Sequence, residues 1–113
     1  MPEQHHVEAR DKLTGRTRYT DDLDPDGVLH AALVLSPTHR GRIRRIVMPE
    51  GYDSGDIIIV GSGDAPGVNR VTEPVSDEPL LAEDEVLWRG QPVLAVAHEC
   101  LETARAFARA VLV

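Results

Sequence analysis

The clearest pattern of apolar and polar positions lies near the C-terminal end. There Leu101, Ala104, Phe107, Ala108 and Val111 recur at helical spacing, and Glu102, Arg105 and Arg109 fall on the opposite side. The spacing predicts an amphipathic helix with one buried face. Ahead of it, Pro92–Ala97 is an apolar run that predicts a strand, reached from a partner strand over Val86–Arg89 through a turn at Gly90-Gln91. Ile57–Val60, four consecutive β-branched residues between Asp56 and Gly61, predicts a buried strand. Val28–Leu35 predicts another, because the turn-forming cluster Asp24-Pro25-Asp26-Gly27 precedes it and Ser36-Pro37 follows.

The intervening segments are polar or irregular. Ser36-Pro37 is a good helix opening, but Gly41 limits it to a single helical turn. In Arg42–Val47 the isoleucines stand three apart, which breaks strict alternation and predicts a solvent-facing strand with a bulge or twist. Met48–Gly55 reads as a loop. Gly61–Glu83 has no apolar period and implies an excursion of about 20 residues, a length that marks function or packing against a neighbour. The first twelve residues form a polar arm, and residues 13–113 read as one domain. Strands, a long loop, a second strand pair and a closing C-terminal helix define the fold class as α+β, with small mixed sheets. The helix runs almost to Val113 without a Gly or Pro terminator, so the expectation is a segment of a longer chain.

Composition narrows this picture. With one Trp, one Phe and two Tyr in 113 residues, yet 42% hydrophobic content, the core is aliphatic and alanine-rich. A net charge of −7 opposes nucleic-acid binding, which rests on phosphate neutralisation. The single cysteine, Cys100, excludes an intrachain disulfide and is too few for an iron–sulfur cluster; it fits a reducing cytosol. No apolar stretch approaches the roughly 18 residues of a membrane span, and the N-terminus lacks a signal-peptide pattern, so a cytoplasmic protein without membrane contact is expected.

Candidate chemistry is sparse. Gly61–Gly67 follows a strand as a phosphate-binding loop would, but it lacks the terminal Lys-Ser/Thr, and Asp64 would repel phosphate. His5 and His6 are adjacent in the arm, and His30, His39 and His98 are scattered, with no zinc-site spacing or catalytic partner. Cys100, at the predicted helix start, is in a place where partial positive charge favours thiolate, although the capping role of a small, partly buried residue accounts for it better. Arg40, Arg42, Arg44 and Arg45 form the basic cluster; pairing with Asp77-Glu78 and Glu83-Asp84-Glu85 accounts for it better than a phosphate ligand. Arg16, Tyr19 and Asp21 stand apart, because a polar run with an aromatic outside any periodic element needs either a neighbouring domain or an ordered loop.

Three segments together resemble the large, molybdenum-cofactor-binding subunit of the xanthine dehydrogenase, aldehyde oxidase and carbon monoxide dehydrogenase family, at its N-terminal α/β hammerhead domain. The first is Thr14–Leu23, similar to the family's T-G-x-A-x-Y-x-D-D opening, with Thr17 in the place of alanine. The second is Leu29-His30-Ala31 through Ser36-Pro37 to Arg42-Ile43, similar to L-H/Y-A … S-P-x-A-H-A-x-I. It departs from that pattern at His39, Arg40 and Gly41, which makes a small-residue contact bulkier and more basic. The third is Gly90-Gln91-Pro92-Val93 with Val96-Ala97 and Ala104-Arg105, similar to G-Q-P-V-A-x-V-x-A and the helix after it.

The resemblance implies a parent oxidoreductase that hydroxylates a carbon centre with oxygen from water, using molybdopterin, [2Fe–2S] clusters and usually FAD. The family's catalytic glutamate, pterin-binding loops and cluster cysteines lie in other domains. The expectation is therefore a domain inactive by itself, with no catalytic, cofactor or metal residues. Its partners would be the remainder of the large subunit and the iron–sulfur and FAD modules. Arg16, Tyr19, Asp21, Gly90, Gln91 and Pro92 are the candidate domain-docking residues. An exposed parental interface would also favour an artificial homodimer. The alternative is a free-standing protein-binding module that uses the 61–83 loop.

Overall fold

The computed structural model describes residues 9–23, 25–52, 55–71 and 77–113. His5 and His6, part of the Asp24–Gly27 cluster and part of the 61–83 excursion lie outside those residues. In chain order the elements are α1 (Ala9–Leu13), β1 (His30–Leu35), β2 (Gly41–Arg42), β3 (Ile58–Val60), β4 (Glu85–Val86), β5 (Pro92–His98) and α2 (Leu101–Ala110), with short 3-10 turns at Thr20–Asp22 and Ser62–Asp64. The α+β class and the closing helix are as the sequence predicts.

β5 is the organising strand. It is the longest strand and the most buried of its sheet, and it pairs antiparallel with β1 on one side and β3 on the other, giving the order β1-β5-β3. A bulge between Val34 and Leu35 shifts the register, so that Leu35 faces Pro92 and Val93 is the extra residue. One sheet face is covered by α2, whose Ala104, Phe107 and Ala108 are buried. Phe107 and Ala108 join Val34, Leu94, Val96 and Val111 in the core. The Phe107 ring also meets Tyr52 edge-on, with centroids 5.0 Å apart and planes at 78°. A second, two-stranded sheet pairs β2 with β4, and Ala82 and Val86 extend the core beneath the bulged end of β5.

Four local expectations are corrected. Ser36-Pro37 opens no helical turn, because both backbone groups of Ser36 are committed to the residues that lead into β5. Its N–H donates to the Gln91 carbonyl at 2.9 Å, and its carbonyl accepts the Gly90 N–H at 2.9 Å. Its hydroxyl then closes a tight side-chain turn on Thr38. Arg42–Val47 is not one strand: pairing ends at the Ile43 N–H, which donates to the Asp84 carbonyl, because β4 is only two residues long. Val47 pairs instead with Leu112. Ile57–Val60 is a strand but not a buried one. It sits at a sheet edge, and Ile58 keeps 49% of its surface exposed and Ile59 37%. Finally, the segments on either side of Gly90-Gln91 do not pair with each other, since β4 belongs to the small sheet and β5 to the large one.

Candidate functional site

Thr14–Leu23 is ordered by its own hydrogen bonds. α1 ends where the Thr14 hydroxyl and N–H both donate to the Arg10 carbonyl, at 2.8 and 3.0 Å. Gly15 then takes a φ of +68°, a conformation only glycine adopts cheaply, and the Arg16 N–H turns back to the Asp11 carbonyl at 2.8 Å. Further on, the Asp22 carboxylate accepts the Tyr19 N–H at 2.9 Å, while the Asp22 N–H donates to the Tyr19 carbonyl at 3.0 Å. This reciprocal lock fixes the backbone of Tyr19–Asp22.

Its side chains nonetheless face solvent. Tyr19 is 63% exposed, Leu13 and Leu23 are more than half exposed, and Arg16 and Asp21 are exposed as well. Of the candidate docking residues, these three present their side chains outward. Asp22, which the sequence reading passed over in favour of Asp21, is the residue that shapes the run. Asp21 and Asp22 are equivalent in composition, and the backbone conformation of the turn decides which of them reaches the Tyr19 N–H.

Gly90, Gln91 and Pro92 are placed differently. Gly90 has a φ of +88°, which an L side chain rarely adopts. Gln91 has no exposed surface; its Oε1 accepts the Leu87 N–H at 2.7 Å, and its Nε2 finds no hydrogen-bond partner among the described residues. The tripeptide therefore works from inside, as a bracket that presents Leu87 and Trp88 at the surface, both more than a third exposed.

The long excursion is clamped at its ends. Asn69, buried and unnoticed in the sequence reading, donates from Nδ2 to the Leu81 carbonyl at 2.7 Å and accepts the Leu81 N–H on Oδ1 at 3.0 Å. It acts as a substitute strand partner for a residue twelve positions away. Nδ2 also reaches Glu83 Oε1 at 3.2 Å, and Glu83 pairs with Arg70 at 3.4 Å.

Beside this clamp lies an open cleft of about 600 Å³ lined by Arg42, Arg70, Asp77, Glu83, Asp84 and Glu85, among others. Arg42 meets Glu85 at 3.6 Å. Two guanidiniums among four carboxylates make a solvated ion-pair cleft that disfavours an anionic ligand. Part of the basic cluster is thus paired with the acidic one, as its composition suggested.

The remaining candidates make local structural contacts. Asp64 Oδ2 accepts the Gly61 N–H at 2.7 Å. The amide that would cradle a phosphate is therefore engaged by a carboxylate, and a phosphate-bearing cofactor does not fit the Gly61–Gly67 loop. His98 Nδ1 accepts the Cys100 N–H at 2.8 Å, a local turn contact at the start of α2. Cys100 is exposed at that start, and the Thr103 N–H, the Thr103 hydroxyl and the Glu102 N–H hold its thiol below the usual thiol range. Among the described residues, no group of three His, Cys, Asp or Glu side chains is placed to hold a metal.

Residues 14–113 match the family described as aldehyde oxidase and xanthine dehydrogenase, a/b hammerhead domain. Xanthine dehydrogenase 2 of Arabidopsis thaliana is 36% identical over 113 residues, covering 98% of this chain and 8% of that protein. Among solved structures, a Cu,Mo-CO dehydrogenase aligns with a TM-score of 0.79 at 22% identity, over 94% of this chain and 14% of that one. Quinoline 2-oxidoreductase from Pseudomonas putida 86 aligns with a TM-score of 0.75 at 27% identity, over 94% and 15% respectively. The chain thus spans about a tenth of the length of the proteins it resembles.

Proposed function

The chain belongs to the aldehyde oxidase and xanthine dehydrogenase family, as its a/b hammerhead domain, and from this premise we propose that it is a non-catalytic structural domain of a molybdenum-cofactor hydroxylase. In that role it shapes the large subunit and its contacts to the iron–sulfur and FAD modules, while the cofactors and the catalytic glutamate belong to other domains. The observation that carries this reading is the state of Thr14–Leu23. A segment locked by Asp22 and Gly15 yet showing Tyr19, Leu13 and Leu23 to solvent is pre-organised for contact rather than for chemistry.

Arg16, Tyr19 and Asp21 are the docking side chains on this reading. Gly90, Gln91 and Pro92 contribute by holding Leu87 and Trp88 in place. Tyrosine suits the role because it supplies a broad apolar ring and one polar tip with little rotamer freedom to lose. A free-standing module that binds through the 61–83 loop is not favoured, since the family match covers nearly the whole chain. Cytoplasmic placement fits the proposed role; in the structure itself, no helix among the described residues is long and apolar enough to cross a membrane.

The test is reconstitution in two pieces. The 113-residue chain is expressed with the rest of the large subunit supplied as a separate polypeptide. A stoichiometric complex is expected, weakened at least tenfold by Tyr19→Ala combined with Arg16→Ala. Absence of any complex, or a complex indifferent to both substitutions, would refute the docking role.

A further inference from the structure

The three-stranded sheet has a second face, and nothing described covers it. Residues directly opposite one another in antiparallel strands share a face. Ala32, Val96 and Ile59 form a row on the α2 side, where Val96 is fully buried. The alternating rows, Leu33-Ala95-Val60 and Ala31-Ala97-Ile58, therefore point away from the helix. All six side chains are apolar, and none carries a polar atom. Leu33 is 52% exposed and Ile58 nearly as much, while Ala95, Ala97 and Val60 are partly exposed. β3 also has a single strand neighbour, so the backbone groups on its outer edge lie next to this apolar face.

We propose that this face, with the open β3 edge, is a docking surface for an uncharged, apolar, extended segment of the longer large-subunit polypeptide, which adds to the sheet beside β3. The inference rests on the structural-domain reading above and adds a surface to it that is distinct from Thr14–Leu23. Three observations select this occupant over a second copy of the chain. Proteins in which the segment is found are about ten times longer, so most of the available chain is not the domain itself. Each copy carries a net charge of −7, which opposes self-association. Six small or medium side chains also fall well short of the roughly 20–30 residues a side of a stable interface between separate proteins. They suffice as one part of an intramolecular contact, where the partner is already tethered.

Hydrogen–deuterium exchange tests this on the 113-residue chain and on the longer polypeptide that continues it in frame. The β3 amides that β5 leaves unpaired should exchange at least tenfold more slowly in the longer polypeptide. Leu33→Glu and Ile58→Lys supply a second readout: each should leave the melting temperature of the 113-residue chain unchanged, yet render the longer polypeptide sensitive to limited proteolysis near β1 and β3. Equal exchange in both contexts, with both substitutions tolerated in both, would overturn this surface. The structural-domain reading would still stand on Tyr19 and Arg16. Dimerisation abolished by Ile58→Lys that persists in the longer polypeptide would overturn the choice of occupant, since an artificial dimer of the 113-residue chain alone is lost when its own segment covers the face. A reading frame that ends at Val113 would overturn both readings together.

Discussion

Replacing Asn69 with Ala should unfasten the long loop at a calculable cost. The side chain is buried and makes two hydrogen bonds to the backbone of Leu81, at 2.7 and 3.0 Å, and a third to Glu83 at 3.2 Å. A buried neutral hydrogen bond contributes about 0.5–1.5 kcal/mol net, and more when its loss strands the partner. Leu81 is only half-buried, so water recovers part of the loss, and the exposed Glu83 contact adds little. The sum is about 2 kcal/mol, or roughly a 30-fold fall in the ratio of folded to unfolded chain. The assay is urea unfolding followed by Trp88 fluorescence, which reports the bracketed turn and is unambiguous because there is one tryptophan. The midpoint should fall while the slope stays constant. Asn69→Asp should not rescue, because it keeps the acceptor for the Leu81 N–H but loses the donor and sets a carboxylate against Glu83. An unfolding free energy for Asn69→Ala within about 0.5 kcal/mol of the parent chain would refute the clamp, since surface changes alone produce that little.

Two further perturbations probe the core and the start of α2. Phe107→Ala deletes the one large buried ring, which also meets Tyr52, and should cost about 3–5 kcal/mol, a large part of a small domain's stability, read as loss of cooperative melting by circular dichroism; a loss under about 1 kcal/mol would show that the helix is not the lid of the core. Cys100 should alkylate with a pH midpoint below that of an unstructured cysteine, because the Thr103 N–H, its hydroxyl and the Glu102 N–H favour thiolate. Thr103→Ala should move the midpoint back up by removing the hydroxyl. In sign, a depressed folded-state pKa makes any linked stabilisation present above the unfolded thiol pKa and lost as pH falls through the folded one. A midpoint equal to that of a free thiol would contradict the assignment.

What could be read from the sequence follows from how far each signal reaches along the chain. α2 was legible because Leu101, Ala104, Phe107 and Ala108 repeat at a period only one structure satisfies, and the α+β class followed from the order of runs. Ile57–Val60 declared a strand, yet a β-branched run carries no information on how many neighbours that strand will have, so its edge position and the exposure of Ile58 were not legible. Ser36-Pro37 fits a helix start and a side-chain turn equally well; the choice is made by Gly90 and Gln91, more than fifty residues away. The same distance hides Asn69, whose role appears only when Leu81 is brought beside it. At the candidate site, the order within Thr14–Leu23 was legible in part: Tyr19 and the Asp pair stood out, but which aspartate locks the turn depends on φ and ψ rather than on composition.

On the function proposed above, this domain supports molybdenum chemistry without hosting it, and cofactor content measures that most directly. The 113-residue chain and the longer polypeptide are purified from a host that makes molybdopterin, then analysed for molybdenum by mass spectrometry and for pterin by fluorescence after oxidation. The account predicts far less than one cofactor per chain in the 113-residue protein and about one in the longer polypeptide. Stoichiometric molybdopterin on the 113-residue chain alone would contradict it.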